Sequence, residues 1–93
     1  MIDIDSLVKT VPEIQKTVAN NFKMRRKEHK ITQLTLAEKA GVSLPSLKRF
    51  EQTGEISFKN LLKISQTLGY EKELLSLFSK PYYTNIEDLL RDS

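Results

Sequence analysis

Residues 33–49 read QLTLAEKAGVSLPSLKR, and this stretch decides the fold. Gln33 to Ala40 reads as a short helix, Gly41-Val42-Ser43 as a tight turn, and Leu44 onward as a second helix. Leu36, Ala37 and Ala40 form an apolar stripe on the first helix, and Leu47 and Phe50 form one on the second. Val42 sits between them in the turn. Ala37 is small, as two helices that cross closely require. Gly41 ends the first helix where positive φ is needed, and glycine adopts it without a steric penalty. Ser43 offers a hydroxyl to cap the second helix, and Pro45 falls in its first turn, where no amide hydrogen is missed. Two short helices joined by such a turn form a helix-turn-helix unit.

Outward from this unit, the composition limits what the chain can be. Ninety-three residues make one small domain with a single core. Without cysteine there is neither a disulfide framework nor a thiolate zinc site. His29 is the only histidine, so no metal site is expected, and it reads as an exposed turn residue. No apolar run approaches the ~20 residues that cross a bilayer. The N-terminus, MIDIDSLVKTV, is acidic where a signal peptide is basic. The chain therefore reads as cytoplasmic, with no membrane association and no cofactor.

The net charge of +3 is unevenly spread. Residues 1–15 carry Asp3, Asp5 and Glu13 against Lys9, a net −2. Residues 16–63 carry eleven basic side chains against Glu28, Glu38, Glu51 and Glu55, a net +7. Residues 64–93 carry three basic and five acidic side chains, again −2. A basic middle suits a polyanion such as double-stranded DNA, although a solvated charged surface would look the same by composition.

Taken in order, residues 1–11 form a weakly patterned arm in which Ile2 and Ile4 alternate with Asp3 and Asp5. Thr10-Val11-Pro12-Glu13 starts a first helix, running from about Pro12 to Glu28, with Ile14, Val18 and Phe22 as its apolar face. Its basic end (Lys23, Arg25, Arg26, Lys27) complements the helix dipole and can also meet phosphate. Thr32 caps the next helix, and Leu34 lies on its outer face. After the helix-turn-helix, Gly54 stops one helix and Ser57 caps a fourth, patterned by Phe58, Leu61, Leu62, Ile64, Ser65 and Leu68. A fifth is expected over Glu71–Ser79, ended by Lys80-Pro81. In the tail, Thr84 and Glu87 have capping-box spacing, and Ile86, Leu89 and Leu90 give a short amphipathic helix. The expected organisation is an arm (1–11), a helix-turn-helix domain (12–79) and a tail (80–93).

These residues together resemble the Cro and phage-repressor (XRE) type of helix-turn-helix domain over about Phe22 to Phe78. The resemblance is carried by Arg26, Gln33, Leu36-Ala37-Glu38, Gly41-Val42-Ser43 and Phe50-Glu51. It implies an all-α fold, a compact five-helix bundle with the helix-turn-helix in helices 2 and 3. It also implies that Arg26 and Glu51 form a structural ion pair and that Gln33 contacts a DNA phosphate. Helix 3 becomes the recognition helix, presenting Leu44, Pro45, Ser46, Lys48 and Arg49 to base edges in the major groove. Arg49 suits guanine O6 and N7, while Leu44 and Pro45 suit a thymine methyl. With two apolar leading residues, direct readout is sparse and DNA shape contributes. Ser43, Thr53, Lys59 and Asn60 are the further phosphate candidates.

The narrower phrase from Ser46 to Ser57, SLKRFEQTGEIS, resembles the HipB-like antitoxins, operon autoregulators that accompany a HipA-like kinase toxin. The functional expectation is a DNA-binding transcriptional regulator, a homodimeric repressor reading a palindrome. A HipA-like kinase is the partner in the antitoxin version. The alternative is a protein-interaction domain of the same fold without specific DNA binding. No enzyme is expected: there is one histidine, no cysteine, no Gly-rich phosphate loop and no paired carboxylates in a plausible cleft.

Overall fold

The computed structural model describes residues 9–82 together with 90 and 91. Between Val11 and Leu75 the described residues form five helices in turn: α1 (Val11–Glu28), α2 (Gln33–Ala40), α3 (Leu44–Thr53), α4 (Phe58–Thr67) and α5 (Glu71–Leu75). There is no strand among the described residues. The Ile2/Ile4 arm and the Thr84/Glu87 capping box lie outside the described residues.

Local chemistry sets the helix starts. Thr10 Oγ1 accepts from the Glu13 amide at 3.2 Å, and Thr32 Oγ1 accepts from the Thr35 amide at 3.1 Å. Ser43 Oγ accepts from Ser46 N at 3.2 Å, and Ser57 Oγ from Asn60 N at 3.1 Å. Each cap satisfies an amide with no partner inside its helix and contributes about 1 kcal/mol. The turn closes at Gly41, with φ 69° and ψ 35°, the left-handed conformation expected of it.

The helices pack around one core. α1 lies against α3, α2 against α3 and α4, and α4 against α5. Leu36, Leu47, Phe50 and Ile64 are fully buried at the centre. Ala19, Phe22, Ala37, Val42 and Leu68 complete the core. Phe22 and Phe50 meet edge to face, with ring centroids 5.5 Å apart and planes at 64°. Each large apolar side chain buried here contributes roughly 1.5–3 kcal/mol.

Two expectations are corrected. The apolar face of α1 is not Ile14, Val18 and Phe22. Ile14 is 49% and Val18 45% exposed, while the buried residues of α1 are Ala19, Phe22 and Arg26. The inner line therefore occupies the second half of α1, beside Phe50. The first half borders a shallow apolar groove, where Val11, Ile14 and Val18 face Ile56, Phe58 and Leu61. The fifth helix is also shorter than Glu71–Ser79. It ends at Leu75, and turn hydrogen bonds from Ser76 N to Lys72 O and from Leu77 N to Leu74 O finish it. Phe78 follows at φ 58°, a left-handed conformation that does not continue a right-handed helix.

Candidate nucleic-acid interface

Helix α3, the second of the helix-turn-helix, is anchored by its inner side. Leu47 and Phe50 are buried, which fixes its rotation about its own axis. Lys48 and Arg49 are consequently exposed, as is Pro45. Leu44 and Ser46 are half-buried, and Leu44 packs partly against the core. Leu44 thus spends part of its apolar surface on the protein itself.

A polar clamp fastens α3 to α1 and α2. Arg26 Nε donates to Glu51 Oε2 at 2.7 Å, and Arg26 Nη2 donates to Glu51 Oε1 at 2.9 Å. The two side chains are only 8% and 2% exposed. Arg26 Nη1 donates to the Ile31 carbonyl at 2.9 Å, tying in the α1–α2 turn. Gln33 Nε2 donates to Glu51 Oε1, also at 2.9 Å. Glu51 therefore accepts three charge-assisted or amide hydrogen bonds from two helices. Among the described residues no buried side-chain polar atom lacks a partner.

Gln33 thus has an internal partner in this structure, and its half-buried side chain joins α2 to α3. One N–H of its carboxamide is used on Glu51. The amide has a second N–H, so the bond orients the group without exhausting its donors.

Ser43 is the cap of α3 and also donates its hydroxyl to Ser46 Oγ at 2.7 Å. Thr53 closes the other end: its hydroxyl donates to the Arg49 carbonyl at 2.7 Å and accepts from the Glu55 amide at 3.1 Å. Gly54, at φ 83°, reverses the chain there. A Cβ at Gly54 would meet the Gln15 backbone carbon at 2.5 Å, so α1 crosses the end of α3 at the closest distance the backbone allows. Lys59 is exposed on α4, and Asn60 is half-buried.

Of the candidate base-reading and phosphate residues, Ser46, Arg49 and Asn60 are brought together. They line an open recess of about 470 Å³ with Gln15, Glu55, Ile56 and Ser57. Pro45, Lys48, Thr53 and Lys59 are outside that recess.

Glu55 is the neighbour that sequence reasoning missed. Its Oε2 accepts from Arg49 Nε at 2.9 Å and from Nη2 at 2.5 Å. The only signal in the sequence is an opposite charge six residues after Arg49. That spacing matches no helical pair, and it becomes a contact because Gly54 turns the chain back.

Among the described residues no three His, Cys, Asp or Glu side chains are grouped to hold a metal ion, and no helix is long and apolar enough to cross a membrane. Comparison with curated proteins finds no match. The family described as helix-turn-helix matches residues 22–75, more than half of the chain and the whole of the clamp, turn and α3. The chain belongs to this XRE-type helix-turn-helix family of DNA-binding transcription regulators.

Proposed function

We propose that this protein is a sequence-specific repressor that binds DNA as a homodimer, laying α3 in the major groove of each palindromic half-site. The observation that carries this reading is the orientation of α3. Burial of Leu47 and Phe50, together with the Arg26–Glu51 clamp, holds Lys48 and Arg49 outward on a helix that cannot roll. In this reading Pro45, Ser46, Lys48 and Arg49 face base edges, with Leu44 placing its outer surface beside them. Gln33, Ser43, Thr53, Lys59 and Asn60 lie toward the phosphates. Gln33 keeps one N–H on Glu51 and directs the other at a phosphate oxygen, next to the amides that open α2. The basic middle of the chain supplies attraction that does not depend on sequence.

A single copy covers too little DNA for useful discrimination, and two copies reading half-sites about 34 Å apart remedy this. Leu75, Leu77 and Phe78 are exposed apolar side chains at the end of the domain away from α3 in sequence, and favour a protein partner there. That partner is a second copy or, in the HipB-like version, a HipA-like kinase. The same patch is what favours the second reading, a protein-interaction domain without specific DNA binding.

Selection of bound duplexes from random DNA separates these. The expected result is an enriched palindrome, with affinity falling steeply as salt rises. On that duplex, Arg49→Ala should weaken binding by about fivefold or more, the equivalent of ~1–3 kcal/mol for one bidentate base contact. Lys48→Ala should weaken it on any sequence or at one base position. No enrichment, or unchanged affinity in both variants, would remove α3 as the reader.

A further inference from the structure

The Arg49–Glu55 pair has a geometry that bears on how a base would be read. Both side chains are exposed, 68% and 53% respectively, so the pair stands at the surface rather than in the core. It is nevertheless built in from both sides. The Thr53 hydroxyl donates to the Arg49 carbonyl and accepts from the Glu55 amide, so the backbones of the two partners are bridged by one side chain. Gly54 makes the reversal between them and is jammed against Gln15, which prevents the loop from drifting. A ring thus closes on itself: Arg49 carbonyl, Thr53 hydroxyl, Glu55 amide, Glu55 carboxylate, Arg49 guanidinium.

The edge of the guanidinium that Glu55 engages matters. Glu55 Oε2 takes the Nε and Nη2 side. A guanidinium is planar with five N–H donors, and its far end carries a second pair, one on Nη1 and one on Nη2. Glu55 does not occupy that end. It is the edge that can donate two parallel bonds to guanine O6 and N7.

We propose that Glu55 is a specificity-determining residue that positions Arg49, holding it by one edge so that the other meets guanine, and opposing contact of Arg49 with phosphate. This rests on α3 being the base-reading helix. Two consequences follow from the charge. A carboxylate beside Arg49 repels a phosphate that would otherwise attract the guanidinium, which weakens binding to arbitrary DNA. The same carboxylate limits the rotamers Arg49 can adopt, which lowers the entropy lost when guanine is bound. Glu55 therefore acts on the difference between specific and non-specific DNA, not on stability, since exposed pairs contribute little to folding.

The test uses the full chain with Glu55→Gln and Glu55→Ala. Three probes are compared: the duplex selected from random DNA, the same duplex with each guanine changed in turn to adenine, and an unrelated duplex. Both variants should melt with the wild type. Each should bind the unrelated duplex more tightly by about two- to fivefold, the range expected from one exposed charge pair. Preference for guanine at the Arg49 position should fall by a similar factor. The slope of log K against log salt on the unrelated duplex should steepen by about one, as Arg49 becomes free to neutralise a phosphate. If Arg49→Ala weakens binding while both Glu55 variants keep the guanine preference, salt slope and affinity for unrelated DNA of the wild type, the positioning role is overturned and the α3 reading survives. If Arg49→Ala itself changes nothing, the positioning role falls because Arg49 reads no base, and α3 is removed as the reader only if Lys48→Ala is silent as well.

Discussion

Removal of the carboxylate from the clamp, in Glu51→Ala, should be among the most damaging changes available to this domain. The wild-type Glu51 side chain is 2% exposed and accepts from Arg26 Nε, Arg26 Nη2 and Gln33 Nε2. Without it, the guanidinium of an Arg26 side chain that is 8% exposed keeps only its bond to the Ile31 carbonyl. Stranding one partner of a buried pair costs roughly 3–5 kcal/mol. A domain of this size has a total stability of about 5–14 kcal/mol. About a fifth or more of the total would then be lost, and the melting temperature should fall by more than about 12 °C.

The assay is thermal and urea denaturation followed by circular dichroism, with Glu51→Gln, Glu51→Leu, Arg26→Met and Arg26→Met/Glu51→Leu as companions. Glu51→Gln should lie between wild type and Glu51→Ala, because an amide oxygen still accepts from Arg26. The double variant should recover most of the loss, since no charge is then buried alone. Melting of Glu51→Ala within about 2 °C of wild type would refute the argument. A double variant weaker than both single ones would also refute it, by showing that the pair stabilises beyond its desolvation cost.

Two further predictions concern packing. Gly54→Ala and Gly41→Ala share a left-handed backbone at φ 83° and 69°, yet they should differ in cost. Strain alone sets the Gly41 loss at about 1 kcal/mol, with no atom within 4 Å of the new Cβ. Gly54→Ala adds a clash with Gln15 backbone, so its loss should exceed ~2 kcal/mol by urea titration, and equal values would show that α1 yields freely. Leu47→Ala, at a site with no exposure, should cost about 2–5 kcal/mol, whereas Leu34→Ala, at a site 54% exposed, should stay within about 0.5 kcal/mol. Comparable losses in a thermal melt would mean that Leu34 is covered by something the fold does not show.

The helix-turn-helix was legible because each of its signals is local. A hydroxyl three residues before an amide caps a helix, and a glycine at its end permits the reversal. Thr10, Thr32, Ser43 and Ser57 each cap the helix they precede. The pattern in α3 and α4 likewise identified Leu47, Phe50 and Ile64, because those helices are short and each has one inner side, although Phe58, in the same α4 pattern, is 63% exposed. On α1 the same reasoning favoured Ile14 and Val18 over Ala19. Periodicity finds an apolar line without revealing which half of a long helix has a neighbour. Alanine, being small, adds little to such a line, although it lies where α1 meets the rest of the core.

The remaining features depend on residues far apart in the chain. The pairing of Arg26 with Glu51 spans twenty-five positions, and the residues alone offered it only through family resemblance. Gln33 turned out to share that carboxylate, which no local spacing indicates, since the two helices meet only after the turn at Gly41 has closed. Glu55 reaches Arg49 because Gly54 reverses the chain against Gln15. Caps, turns and helix lengths follow from short-range hydrogen bonding and sterics, and so could be read along the chain. The partner of Gln33 and the company of Arg49 follow from long-range packing, which exists only once the helices have been laid across one another.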